Sequence, residues 1–116
     1  MKIIQKSLLV LPFFVVCFFA LVNNVHAAGI PTDFDVLSVA KDQINMSWNA
    51  PQDKTGLVGY KVYRNGNLVM TLGADSVSYQ DTGLSPERVY SYFVASYDAS
   101  GKEKSTVSVS DKTFHA

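Results

Sequence analysis

Residues 81–101 read D-T-G-L-S-P-E-R-V-Y-S-Y-F-V-A-S-Y-D-A-S-G. The run holds a turn at Asp81-Thr82-Gly83, a tyrosine at position 90, an alternating stretch from Val89 to Tyr97, and a second turn from Asp98 to Gly101. Leu84, Pro86 and Tyr90 stand at the offsets used where a chain passes from one sheet of a β-sandwich to the other. In that corner the tyrosine ring fills the edge of the core and its hydroxyl returns to nearby backbone. This run therefore predicts an all-β sandwich.

Period-two alternation continues on either side. Gln43 to Asn49 places Ile44, Met46 and Trp48 on one face and Gln43, Asn45 and Ser47 on the other. Gly59 to Asn65 groups Tyr60 with Val62, opposite Lys61 and Tyr63. Val89 to Tyr97 groups Tyr90, Tyr92 and Val94, opposite Ser91, Phe93 and Ala95. Thr106 to Thr113 alternates Val107 and Val109 with Ser108 and Ser110, and shorter strands fit Asp35–Val39, Leu68–Leu72 and Val77–Tyr79. Turn formers fill the gaps, the sharpest being Asn65-Gly66, because both residues accept the positive φ of a tight hairpin. Seven short strands without a helical period predict an antiparallel sandwich.

The beginning of the chain reads differently. Lys2 and Lys6 precede an uncharged, almost wholly apolar run of 15 residues from Leu8 to Val22. Asn23 and Asn24 end it, and Val25-His26-Ala27 places small residues where a signal peptidase reads. This is the layout of a cleaved secretory leader over 1–27, cut after Ala27, and it predicts a secreted or periplasmic product. A retained anchor is the competing reading, but a helix that short reaches only about 22 Å against a hydrocarbon core of roughly 30 Å. No stable membrane insertion is expected after cleavage. Cys17, the one cysteine, lies inside the apolar run between Val16 and Phe18, a context that does not favour lipidation.

Beyond the leader, 28–32 reads as a short link and 33–114 as one domain held by its apolar core without disulfides. Removing Lys2 and Lys6 leaves eight basic against ten acidic residues. No basic block remains to grip phosphate, so nucleic acid is not an expected partner.

The order of these pieces resembles the fibronectin type III domain. The resemblance covers nearly all of Pro31 to Phe114 and rests on four stretches. These are S-W-N-A-P (47–51), G-Y-K-V-Y-R-N-G (59–66), D-T-G-L-S-P followed by Tyr90, and D-A-S-G (98–101). It implies a seven-stranded immunoglobulin-like sandwich in which Trp48 is the core tryptophan of the second strand and Tyr90 the corner tyrosine. The G-Y-x-V-Y-R-N-G and D-T-G-L wording is similar to modules attached to bacterial extracellular glycoside hydrolases. Two departures stand out: charged Glu87-Arg88 in the corner loop, and Ser96 where alanine is common.

Chemistry is sparsely represented. The single histidine after the leader, His115, sits beside the terminus, where no scaffold holds it for a Ser-His-Asp or Cys-His arrangement. No His or Cys pair has coordinating spacing. Asp98, Ser100 and Glu103 lack the ligand density of a calcium loop and read as an Asx-type turn with Gly101 at positive φ. No pair of acids stands out for glycoside hydrolysis. Asn45-Met46-Ser47 matches a glycosylation sequon but falls within a strand. The loop 99–105 lacks the Arg-Gly-Asp that some animal members of the family carry there. No enzyme, cofactor or metal is expected.

Binding is the remaining function. With Ile44, Met46, Trp48, Tyr60, Val62, Leu84, Tyr90, Tyr92 and Val94 assigned to the core, Tyr63 and Phe93 fall on one solvent-facing surface of neighbouring strands. Lys61, Arg64 and Tyr97 are expected to extend it, with Leu68 or Met70 at its border. Such a surface suits a protein or glycan partner. Cross-strand aromatics that simply stabilise a sheet by roughly 0.2–1 kcal/mol are the competing account. The reading is an exported, non-catalytic interaction module. A structural spacer or assembly subunit is its alternative, and an accessory unit for a polysaccharide-degrading enzyme a third.

Overall fold

A computed structural model describes residues 28–116; the leader predicted over 1–27 lies outside the described residues. Among the described residues eight strands follow one another: β1 (Thr32–Ala40), β2 (Gln43–Asn49), β3 (Leu57–Arg64), β4 (Asn67–Gly73), β5 (Ser78–Thr82), β6 (Val89–Asp98), β7 (Glu103–Ser105) and β8 (Val109–Lys112). They form two antiparallel sheets. One is β1-β2-β5; the other runs β4-β3-β6, with β7 and β8 both paired to the far edge of β6.

The extra strand is β7: it falls in the stretch 99–105 that the sequence reads as a loop, ahead of the strand expected over 106–113. Ser105 stands opposite Ala95 and Val109 opposite Tyr92, so four steps on one strand match three on its partner. An extra residue of this kind is a β-bulge. Thr106 spans it with two bonds to Val94: its N–H donates to the Val94 carbonyl at 3.0 Å, and its hydroxyl accepts from the Val94 N–H at 3.2 Å. Of the strand expected over 106–113 only Val109–Lys112 forms, and the residues before it belong to the bulge. Val107, whose alternation with Val109 suggested a continuous face, is 80% exposed, while Val109 packs against the core.

The core lies between the sheets. Ile44, Met46 and Trp48 from β2 meet Tyr60 and Val62 from β3 and Tyr90, Tyr92 and Val94 from β6, with Val36 and Leu84 closing the ends. Alternation fails at one place in β6: Ala95, on the outward side, is fully buried, because Lys61 and Ser105 flank it on the neighbouring strands. The corner forms as the sequence implies, the Tyr90 hydroxyl accepting the Ser85 N–H at 2.9 Å. Thr113 straps the same loop from the C-terminal side, its hydroxyl donating to the Ser85 carbonyl at 2.6 Å. The Asn65-Gly66 hairpin has φ of 51° and 86°, the positive pair a two-residue turn of this hand requires.

The link before β1 is docked. Ala28 is buried, Gly29 N–H donates to the Asp53 carbonyl at 2.9 Å, and the Ser96 hydroxyl donates to the Gly29 carbonyl at 2.7 Å. Ser96 thus has a structural task that alanine lacks: it fastens the segment leading into the first strand.

Candidate interaction surface

On the outward side of β3, β6 and β7, the register sets Tyr63 opposite Phe93, Lys61 opposite Ala95, and Tyr97 opposite Glu103. Tyr63 and Phe93 stack nearly parallel, with centroids 4.6 Å apart and planes 15° apart. The Tyr63 hydroxyl donates to Glu103 Oε1 at 2.7 Å, and Lys61 Nζ meets Glu103 Oε2 at 3.2 Å. Lys61 Nζ also lies 4.9 Å from the centroid of the Tyr97 ring. Tyr97 in turn covers Gly59: a Cβ there would come within 3.1 Å of the ring and collide with the Leu72 carbonyl. Glycine at position 59 leaves room for the Leu72 carbonyl and for the edge of the Tyr97 ring.

These contacts join Phe93, Tyr63, Glu103, Lys61 and Tyr97 into one connected platform. Electrostatics follow from it. Burial and the bond to Glu103 push the Tyr63 phenol up to about 12. The same bond, helped by Lys61, holds the Glu103 carboxyl below its ordinary value. Glu103 is the member that sequence reasoning missed. Its place two residues past the Gly101 turn, on the strand that pairs with Tyr97, is the signal that finds it; the sequence reading takes Glu103 only as a candidate calcium ligand beside Asp98 and Ser100.

Arg64 does not join the platform. It lies one step past Tyr63 and so points to the opposite side, where Nη1 contacts both oxygens of Asp81 at 3.0 and 2.9 Å. Asp81 is buried and also accepts the Tyr92 hydroxyl at 2.6 Å. The two sheets are tied through these three side chains. Leu68, opposite Tyr63, borders the platform; Met70 is displaced by a register shift in the β3–β4 ladder.

The other candidates resolve into local structure. Asp98 Oδ1 accepts from the hydroxyl and N–H of Ser100 and from the N–H of Lys102, bonds that close a turn and hold its carboxyl below the usual range. His115 Nδ1 lies 2.7 Å from Glu87 on an exposed corner. Among the described residues no three His, Cys, Asp or Glu gather where they can hold a metal ion. Nor is any helix of theirs long and apolar enough to cross a membrane.

Comparison with known proteins settles the family. The family model for the fibronectin type III domain matches residues 29–112. The chain belongs to the fibronectin type III family. Over 80 residues it is 38% identical to an alpha-amylase of Niallia circulans, a match covering 69% of this chain and 6% of the amylase. Over 73 residues it is 35% identical to the chitinase Chi52 of Paenibacillus xylanexedens, covering 63% of this chain and 14% of the chitinase. The chain thus spans a small part of the curated relatives it matches. In fold it is similar to the crystal structure of FN3tt, with a TM-score of 0.67 at 20% identity, covering 78% of this chain and 99% of that one. As a fibronectin type III domain it has the two antiparallel sheets of the family, with the last strand in two pieces.

Proposed function

We propose that this chain is an exported, non-catalytic module that serves polysaccharide degradation by contacting the polymer rather than cutting it. The observation that carries this reading is that one stretch recurs as a small share of both an amylase and a chitinase. A piece common to enzymes that cut different bonds does not supply the bond-specific chemistry. The absence of a catalytic His, Ser or acid constellation from the sequence reading agrees with it, and the leader pattern over 1–27 supports export. The test is retention. Protein produced from the full coding chain should be held on at least one of starch granules, chitin and cellulose, and should release no sugar from any of them. Passage straight through all three would remove the polymer reading.

A second reading, a rigid spacer or assembly subunit, is favoured by the platform itself. Tyr63 and Phe93 each turn one ring face on the other, and the Tyr97 ring is held between Gly59 and the Lys61 ammonium, so part of the aromatic surface is already used within the sheet. On that reading Tyr63→Ser with Phe93→Ser lowers stability and abolishes no binding. Loss of a partner by a still-folded double variant would restore the platform as a contact site for a protein.

A further inference from the structure

The opposite face of the molecule has a different chemistry. On the outward side of β1-β2-β5 the register aligns two rows across the sheet: Leu37, Asn45 and Gln80, then Asp35, Ser47 and Ser78. The rows, with Met46 and Tyr79 between them, line a shallow groove of about 290 Å³. Only Asp35 among the six is charged, and one of its oxygens already accepts the Val36 N–H at 3.0 Å. Gln43 Nε2 donates to Asn45 Oδ1 at 2.8 Å, which holds the Asn45 carboxamide in place before any ligand arrives. Leu37, 61% exposed, supplies an apolar edge beside the amides.

We propose that these two rows are the contact strip for a neutral polysaccharide chain. The inference rests on the polymer reading above and assigns it to a face. A carboxamide offers donor and acceptor in one plane, and a serine hydroxyl offers both from one atom. Sugar hydroxyls, which also donate and accept, match such groups in either direction. The C–H side of a sugar ring fits against Leu37. Successive outward residues on a strand stand roughly 7 Å apart, so the two rows can follow a chain beyond one sugar. A protein partner is matched less well, because the rows hold no arginine and the one aromatic in the lining, Tyr79, packs against the core rather than standing free. An anionic polymer is matched less well again, because they hold no cation and one carboxylate.

The experiment compares the protein from the full coding chain with Asn45→Ala/Gln80→Ala and Tyr63→Ser/Phe93→Ser, all checked by melting temperature. Each is mixed with starch granules, chitin, cellulose and a hydroxyl-poor polyester, at low and at 1 M salt. The expected result is retention of the parent on a polysaccharide, little changed by salt because no charge pair carries it. Asn45→Ala/Gln80→Ala should weaken retention about tenfold or more, as two carboxamides take their hydrogen bonds with them. The Tyr63→Ser/Phe93→Ser variant should stay bound, and the polyester should hold none of the three. Equal retention of parent and folded Asn45→Ala/Gln80→Ala overturns the strip and leaves the polymer reading standing. Failure of the parent on every polysaccharide overturns both. A parent dimer in sedimentation that Asn45→Ala/Gln80→Ala abolishes, with polymer binding unchanged, gives the strip to a second copy and overturns the inference.

Discussion

At the scale of single residues, two buried tyrosines show how far a pattern can be read. Tyr60 and Tyr92 both alternate inward and both are fully buried. Their hydroxyls have opposite circumstances. The Tyr92 hydroxyl donates to Asp81 at 2.6 Å, and its phenol is pushed far up by burial and by that bond. The Tyr60 hydroxyl, like Trp48 Nε1, is buried without a partner, and its ring packs tilted against Trp48 at 5.5 Å. A buried polar atom without a partner costs about 1–3 kcal/mol, whereas a hydrogen bond to a charged group contributes about 1.5–3. Tyr60→Phe should therefore raise stability by about 1 kcal/mol and Tyr92→Phe lower it by about 2. Urea unfolding of the two variants measures both; losses of equal size would mean that the Tyr60 hydroxyl is solvated after all. Alternation makes the inward direction of both rings legible in the sequence. It is silent on the hydroxyls, because a partner such as Asp81 is brought near by the meeting of two sheets. The expectation for Arg64 fails for a related reason: closeness in sequence to Tyr63 suggests a shared surface, yet adjacent strand residues face opposite ways.

At the scale of elements, local alternation and turn chemistry make the strands from β1 to β6 legible to within a few residues. The last strand is legible only in part: Glu103-Lys104-Ser105 carries no apolar residue to mark it as a strand, and the bulge after it leaves no trace where valine and serine alternate. Pairing between sheets is equally hidden. Ser38 on β1 donates its N–H to Asp111 Oδ2 at 2.9 Å and its hydroxyl to the Lys112 carbonyl at 2.7 Å, a stitch between β1 and β8 across the open side of the sandwich. Backbone bonds from Ser38 and then Lys112 hold the Asp111 carboxyl below its ordinary value of 3.8. A carboxyl depressed in the folded state contributes stability that is present above the unfolded value and lost as pH falls through the folded one. Unfolding free energy should thus decline below about pH 4. Asp111→Asn should cost about 1 kcal/mol at pH 7 and flatten that decline. Denaturation curves from pH 7 to pH 2.5 test the pair of effects, and an unchanged acid slope in the variant would assign the decline to the other depressed carboxyls, Glu103 and Asp98.

At the scale of the whole molecule, the question is what makes two sheets of three and five strands one cooperative body without a disulfide. The apolar core does most of it: Trp48→Ala should cost about 3–5 kcal/mol of a total of about 5–15. The Arg64–Asp81–Tyr92 group adds an electrostatic tie, and its two charges are not equivalent. The Arg64 side chain is 33% exposed and the Asp81 side chain only 4%. Without Asp81 the guanidinium can reach water; without Arg64 the carboxylate stays buried with Tyr92 as its remaining side-chain donor. Removing one partner of a buried pair costs about 3–5 kcal/mol when the other charge is left uncompensated in the interior. Arg64→Leu should therefore approach that range, while Asp81→Asn, which keeps an acceptor for Tyr92 and frees the arginine to solvent, should cost about 1–2. Equal losses would mean that the pair acts as an ordinary surface ion pair and that the core alone joins the sheets. The asymmetry bears on function as well. A tie that fixes one sheet against the other keeps the amide-lined face and the aromatic platform in a fixed relation, so Arg64→Leu should loosen both faces together while contacting neither.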